Sequence, residues 1–338
     1  MIIDFRSDTV TKPSPAMLEA MFTAKVGDDV FGEDPSINDL ETLAAGMFGM
    51  DAAIFCPSGT MTNQIAIRCH TQPGDEVICD ESAHVYQYEG GGIAVNSGAS
   101  VKLLMGDRGR VTAGMVKAAI NPDDAHKAHT SLVCLENTSN RGGGSCYELE
   151  EIIKIGQVCK DHHLKFHLDG ARLFNALVAK SQTPGEYGEV FDSISVCLSK
   201  SLGCPVGSLL IGKKEFIHKA RRVRKVFGGG MRQGGFLAAA GIYALQNNVD
   251  RLKTDHAHAA KIGEAISKKD FVKQVLPVET NIVIFELTDD LPAAQLVNTL
   301  KDDQILSYAI APNRVRLVTH LDITGEMVKK TIDFISKL

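Results

Sequence analysis

The chain shows no excess of basic charge. Its 36 lysines and arginines face 41 aspartates and glutamates, a net charge of −5, which disfavours nucleic acid as a partner. No uninterrupted apolar run approaches the ~20 residues of a membrane span, so no membrane role is expected. The start, Met1-Ile-Ile-Asp-Phe-Arg6, lacks a basic region followed by an apolar one, so no export signal is indicated. The eight cysteines contain no Cys-x-x-Cys pair. Scattered through apolar segments, they read as free buried thiols of a cytoplasmic protein. There is no Gly-x-Gly-x-x-Gly, internal repeat or low-complexity tract. Gly207-Ser-Leu-Leu-Ile-Gly-Lys213 imitates a P-loop until Lys214, where serine or threonine is required. What remains is ordinary globular composition, 44% apolar and 23% charged, over 338 residues, enough for two domains.

Apolar runs over 52–56, 76–79, 101–104, 130–135 and 164–168 read as strands. They alternate with helical patterns over 60–70, 86–95, 112–120, 149–161 and 171–179. Such alternation predicts an α/β protein with a mostly parallel central sheet flanked by helices. A polar arm, Phe5–Pro13, precedes it, and a helix runs from Asp34 through Phe48. Beyond Gly228-Gly-Gly230 come helices to about residue 268. A strand at 281–287, a helix at 292–300, a strand at 314–319 and a final helix then form a smaller C-terminal α+β domain. The expected division is 1–248, with the arm in the large domain, and 249–338.

In parallel sheets ligands bind beyond the carboxyl ends of the strands, and the candidate residues fall at such ends. Phe191-Asp-Ser-Ile-Ser-Val-Cys-Leu-Ser199 alternates apolar and small polar residues, then turns through Lys200. Burial there would favour the neutral amine, the nucleophile of Schiff-base chemistry; a loop lysine in water is the plain alternative. Pro57-Ser58-Gly59-Thr60 opens a helix, a place suited either to a phosphate or to an ordinary cap. In His167-Leu-Asp169-Gly-Ala-Arg172 the carboxylate can hold a protonated ring nitrogen and the arginine a substrate carboxylate, or the two can pair locally. A metal at His162, His163, His167 and Asp169 is disfavoured, because a strand at 164–168 gives them no shared helical face. His84 follows a strand and could stack on a planar ring or move a proton. His126 and His129 lie in a polar loop, as acid–base or merely solvated groups. Arg232 follows the glycine run, as a phosphate contact or part of a new helix.

Taken together, Arg6-Ser-Asp-Thr-Val-Thr11, Gly27-Asp-Asp-Val-Phe-Gly-Glu-Asp-Pro35, Pro57–Thr60, Glu136-Asn-Thr138, His167–Arg172, Leu198-Ser-Lys200, Gly228–Gln233 and Arg316-Leu-Val-Thr-His320 resemble the low-specificity L-threonine aldolases. These are fold type I pyridoxal 5'-phosphate (PLP) enzymes with the aspartate aminotransferase-like fold. The resemblance implies that Lys200, beside Ser199, holds PLP and that Asp169 pairs with its ring nitrogen. It further implies that His84 stacks on the ring, and that Ser58, Gly59 and Thr60 bind the phosphate. Ser7, Arg172 and Arg316 match positions that hold the substrate carboxylate, and Arg232 a contact given to a neighbouring subunit. His126, preferred over His129 on its spacing from Thr130, matches a histidine near the substrate side chain. Ser201 stands where many relatives have glycine. The implied activity is cleavage of L-threonine, L-allo-threonine and related β-hydroxy-α-amino acids to glycine and an aldehyde. The implied assembly is a homotetramer, a dimer of dimers with active sites at the dimer interface. No metal is expected. A β-eliminating lyase or aminotransferase would use the same lysine and aspartate and differ in the bond broken.

Overall fold

The computed structural model describes residues 1–338. Its strands, in chain order, are β1 (Ile3–Asp4), β2 (Ala52–Cys56), β3 (Glu76–Asp80), β4 (Ser100–Leu104), β5 (Thr130–Glu136), β6 (Lys165–Gly170), β7 (Ser193–Cys197), β8 (Ser208–Gly212), β9 (Val272–Val275), β10 (Ile282–Leu287), β11 (Ile305–Leu306), β12 (Tyr308–Ala311) and β13 (Arg314–Val318). Seven form the central sheet in the order β2-β8-β7-β6-β5-β3-β4. Pairing is parallel from β7 through β4. β8 alone is reversed, antiparallel to both β7 and β2. The cause is the length of the link between β7 and β8. Residues 198–207 are too few for the crossover a parallel pair needs, so the chain doubles back and Lys200 is held in the bend.

One face of the sheet is apolar. Phe166, Leu168, Ile194 and Val196 join a 38-residue core with the helices Pro35–Met47, Leu149–Asp161 and Gly235–Asn247. Burying these side chains supplies the main cohesion of the domain, at about 25 cal/mol per Å² of apolar surface. The helix Gly59–His70 covers the other face, its start capped by Ser58, whose Oγ accepts from Met61 N at 3.2 Å. A second, antiparallel sheet, β12-β13-β10-β9, packs on the helices Leu252–Ile266, Ala293–Asp302 and Gly325–Ile335 around a 17-residue core.

Two expectations change. The N-terminal arm does not belong to the first core: β1 pairs in parallel with β11, and Ile3 and Phe5 are fully buried in the second core. Both are large apolar side chains, and burying them in the second core is what ties the arm there. The helix expected over 86–95 is instead a short turn, His84–Gln87, and a separate wide turn, Ile93–Ser97. Between them Gly90 and Gly91 take φ of +63° and +71°, a left-handed backbone that ends the first turn. No helix is long and apolar enough to cross a membrane, and all eight cysteines are free and buried.

Candidate active site

The carboxyl ends of β5, β6 and β7 bring the site together. Register sets Glu136 beside Asp169 and Asp169 beside Ser195. Asp169 is buried, its Oδ1 accepting from Ala171 N at 3.1 Å and its Oδ2 from Asn63 Nδ2 at 2.9 Å. Lys200 follows β7 and is half-buried. Its backbone carbonyl accepts from Thr11 Oγ1 at 3.2 Å and from Gly203 N at 2.9 Å. Its amine takes part in no ion pair, which leaves a nucleophile uncommitted among buried charges.

His84 opens its short turn with its backbone N–H on Glu136 Oε2 at 3.0 Å and its Nδ1 on Glu89 Oε1 at 2.9 Å. Burial pushes the imidazole pKa down, but the hydrogen bond to Glu89 and the charges of Asp169 and Glu89 outweigh it and raise the pKa. Glu136 is pushed up to about 7, by burial first and then by the neighbouring Asp169 carboxylate. Its Oε1 accepts from Asn140 N at 3.0 Å. The ligand atoms of His84, Glu89 and Asp169 lie within 4.8 Å of one another. An amide N–H occupies the gap, however: Asn63 Nδ2 donates to both carboxylates, at 2.9 Å each. A cation there would face a hydrogen-bond donor, so the donor set suits an organic ring better than a metal ion.

At the same carboxyl end, just beyond β2, Ser58, Gly59 and Thr60 form the first turn of their helix, where unpaired backbone N–H groups favour an anion. Beside them Ser208 Oγ is buried without a partner, and it would lie 3.5 Å from a side-chain carbon placed on Gly59. Ser199 Oγ sits 3.5 Å from Cys197 Sγ. A free amine, a phosphate cradle with an unpaired hydroxyl, and a buried carboxylate for a ring nitrogen therefore fit PLP. Ser58 to Thr60 would hold the phosphate, Asp169 the ring nitrogen and Lys200 the aldehyde carbon.

The arginines depart from the simple expectation. Arg172 is buried and already held by Asp8, with Nε and Nη2 each 2.7 Å from a carboxylate oxygen. Burial pushes Asp8 up, but the charge and hydrogen bonds of Arg172, then the charge of Lys200, hold it well below the usual carboxylate range. Only Nη1 of Arg172 remains without a protein acceptor. Arg316 donates Nη1 to Asn140 Oδ1 at 2.9 Å and Nη2 to the Arg6 carbonyl at 3.1 Å. Its Nε is buried and unpaired. Burial and the nearby Arg172 push it down to about 10, as expected for a guanidinium awaiting an anion. Ser7 is half-buried at the same arm, its Oγ accepting from Thr9 N at 3.2 Å. Ser201 donates Oγ to Asp8 Oδ2 at 2.7 Å; the hydroxyl strengthens the arm's anchor.

Two expected residues stand elsewhere. His126 lies before the first residue of β5, at the amino-terminal edge of the sheet, with a side chain 91% exposed and Nδ1 on Asp124 at 2.9 Å. A seven-residue strand separates that edge from Glu136, so His126 is not part of this chain's own site; a loop carries no pattern that reveals which edge it occupies. Arg232 is exposed and pairs with Asp28 at 2.8 Å. Sequence reasoning missed Asp8, Asn63, Glu89 and Asn140. Asp8 and Asn140 lie in or beside quoted motifs, whereas Asn63 and Glu89 are signalled only as polar residues in apolar surroundings.

Comparison with known proteins bears on this arrangement. The sequence profile described as Beta-eliminating lyase matches residues 4–290. The chain is 44% identical over 328 residues to the low specificity L-threonine aldolase of Escherichia coli, covering 97% of this chain and 96% of that protein. It is 41% identical to low-specificity L-threonine aldolase 1 of Arabidopsis thaliana, covering 98% and 94%. A solved threonine aldolase of Leishmania major superimposes with a TM-score of 0.87 over 99% of both chains at 21% identity, which shows the fold. By these matches the chain belongs to the beta-eliminating lyase family and, within it, to the low-specificity L-threonine aldolases.

Proposed function

We propose that this protein is a PLP-dependent lyase that cleaves L-threonine, L-allo-threonine and other β-hydroxy-α-amino acids to glycine and an aldehyde. The observation that carries the reading is an unpaired Lys200 amine and a buried Asp169 at the carboxyl edge of the central sheet, together with Arg316 of β13, whose Nε has no protein acceptor. When bound, the cofactor supplies an electron sink for the pair released as Cα–Cβ breaks. Lys200 would hold the cofactor through its uncommitted amine. Asp169, an acceptor buried among donors, keeps a proton on the ring nitrogen. Arg316, whose Nε has no protein acceptor, and Arg172 would bind the substrate carboxylate, which fixes the orientation of the amino acid. His84 takes the proton of the β-hydroxyl. Glu89 fixes its Nδ1 as donor, which leaves Nε2 free to exchange a proton. His126 and Arg232 would serve only across a subunit contact. This fits a homotetramer built from dimers that share active sites, and Val30, Phe31 and Val226 lie exposed near the Asp28–Arg232 pair as apolar surface for such a contact. A cytoplasmic location fits eight unpaired cysteines.

Product analysis after incubating the PLP-loaded protein with L-threonine, and separately with L-allo-threonine, tests the reading. Glycine and acetaldehyde are expected. A keto acid with ammonia would overturn it in favour of elimination.

A further inference from the structure

Below the site, one face of the central sheet carries polar groups that the proposed chemistry does not use. Alternate residues of a strand share a face, which puts His167 and Asp169 of β6 with Ser193 and Ser195 of β7. Register sets His167 beside Ser193 and Asp169 beside Ser195. The helix Gly59–His70 lies over this face and presents Asn63 and His70, two turns apart. Together they form an unbroken chain. His70 Nε2 is 2.8 Å from Ser193 Oγ, which is 2.9 Å from His167 Nδ1. His167 Nε2 is 3.2 Å from Asn63 Oδ1, and Asn63 Nδ2 reaches Asp169 and Glu89 at 2.9 Å each. His167 is fully buried and Asn63 is 1% exposed.

The direction of every bond follows from its carboxylate end. Two carboxylates on Asn63 require its NH₂ there, so its carbonyl faces His167 and needs a donor. Burial pushes both His70 and His167 down to about 3, helped at His70 by Lys165 and Lys219 and only partly opposed at His167 by Asp169, so each is neutral with a single N–H. His167 must therefore carry its proton on Nε2 and accept at Nδ1. Ser193 then donates to His167 and accepts from His70. The Ser193 carbonyl, 3.2 Å from His167 Nδ1, would accept from the opposite tautomer. That tautomer leaves the Nε2 lone pair against the Asn63 carbonyl.

We propose that His70, Ser193, His167 and Asn63 form a one-way hydrogen-bond chain that positions Asp169 for the cofactor's ring nitrogen, with His167 as its key positioning residue. Donors in such a chain polarise one another toward the carboxylates. They hold Asp169 as an acceptor with one orientation. This rests on Asp169 being the ring-nitrogen partner, as proposed above.

Two measurements test it. In the wild-type apoprotein, ¹⁵N NMR of the histidine rings from pH 6 to 8 should show His70 and His167 neutral with Nε2–H; an Nδ1–H or charged ring at His167 would overturn the proposal, whatever any variant does. Second, PLP dissociation constants are compared for His167→Leu, which breaks the chain, and His167→Gln, which keeps one donor and one acceptor. The Leu variant should bind at least about tenfold more weakly, about 1.4 kcal/mol, and the Gln variant within about threefold of wild type. Equal binding by wild type and Leu, or equal losses in Leu and Gln, would overturn the positioning role. Asp169→Ala is run alongside. Unchanged PLP affinity in that variant would remove the reading of Asp169 itself, while the tautomer result would stand separately.

Discussion

Strands β6 and β7 have two faces that share a backbone and almost nothing else. Phe166, Leu168, Ile194 and Val196 lie in the 38-residue core. One residue over in each case, His167, Asp169, Ser193 and Ser195 are equally buried and wholly polar. Hydrophobic contact is undirected and forgiving, so the first face supplies cohesion and tolerates substitution of similar volume. The second face holds together only through directed pairs, each costly if left unmet. Position is what it provides. A site that must place a carboxylate and an amine within a fraction of an ångström is built on the second face and fastened by the first.

The sharpest way to break this contrast is at Lys200. Lys200→Ala should reduce turnover to background while the apoprotein keeps its melting temperature, since the amine makes no structural bond; residual turnover above a few per cent would sink the assignment. Asp169→Asn, on the polar face, should lower kcat about 10²–10³-fold, the scale for a lost electrostatic group. Leu168→Ala, its neighbour on the apolar face, should do the reverse. It is expected to cost about 2–5 kcal/mol of stability in urea with kcat at low temperature little altered. If both variants lose stability and activity in the same proportion, the division between faces fails. Arg316→Lys should raise KM about 10–100-fold and affect kcat less, because a charge-assisted bond is worth about 1.5–3 kcal/mol.

The smallest effect is in pH. Glu136 is raised from the ordinary carboxyl range to about 7, and the His84 pKa is also raised. Through that window the folded state keeps a proton that the unfolded chain releases, so stability falls as pH rises. The slope from Glu136 is at most about 1.4 kcal/mol per pH unit. Urea midpoints for wild type and Glu136→Gln at pH 5, 6, 7 and 8 should show a flatter profile in the variant. An identical slope would show that Glu136 titrates in its ordinary range.

Much of this was legible in the sequence, for identifiable reasons. Ser193-Ile-Ser-Val-Cys197 has the two-residue period of a strand, and its small polar half reports a face that is polar yet buried. Asp169 and Lys200 stand where periodic runs end. The reversal of β8 was also legible in principle, since the ten residues of 198–207 cannot cross over a sheet. Other features depend on contacts between residues distant in the chain. Nothing near Asp8 indicates Arg172, 164 positions away. Glu89 was hidden because apolar spacing over 86–95 imitates a helix, and only the glycines at 90 and 91 argue against it. Strands β9, Val272-Lys-Gln-Val275, and β12, Tyr308-Ala-Ile-Ala311, show no alternation of apolar and polar residues and leave no period to read.

The arm that carries Ser7 and Asp8 has a consequence for biosynthesis. β1 lies against β11, and the backbone carbonyl of Phe5 accepts from Val318 N at 2.8 Å. Residues 3–5 thus wait for residues 305–318. Until residues 305–318 emerge, the arm has no strand to join, and Arg172 is buried without its counter-charge. The large domain can collapse on the ribosome, since domains fold as units during synthesis. The substrate end of the pocket closes only once residues 305–318 have emerged, so a nascent chain that stops short of them should carry a formed central sheet and no working site.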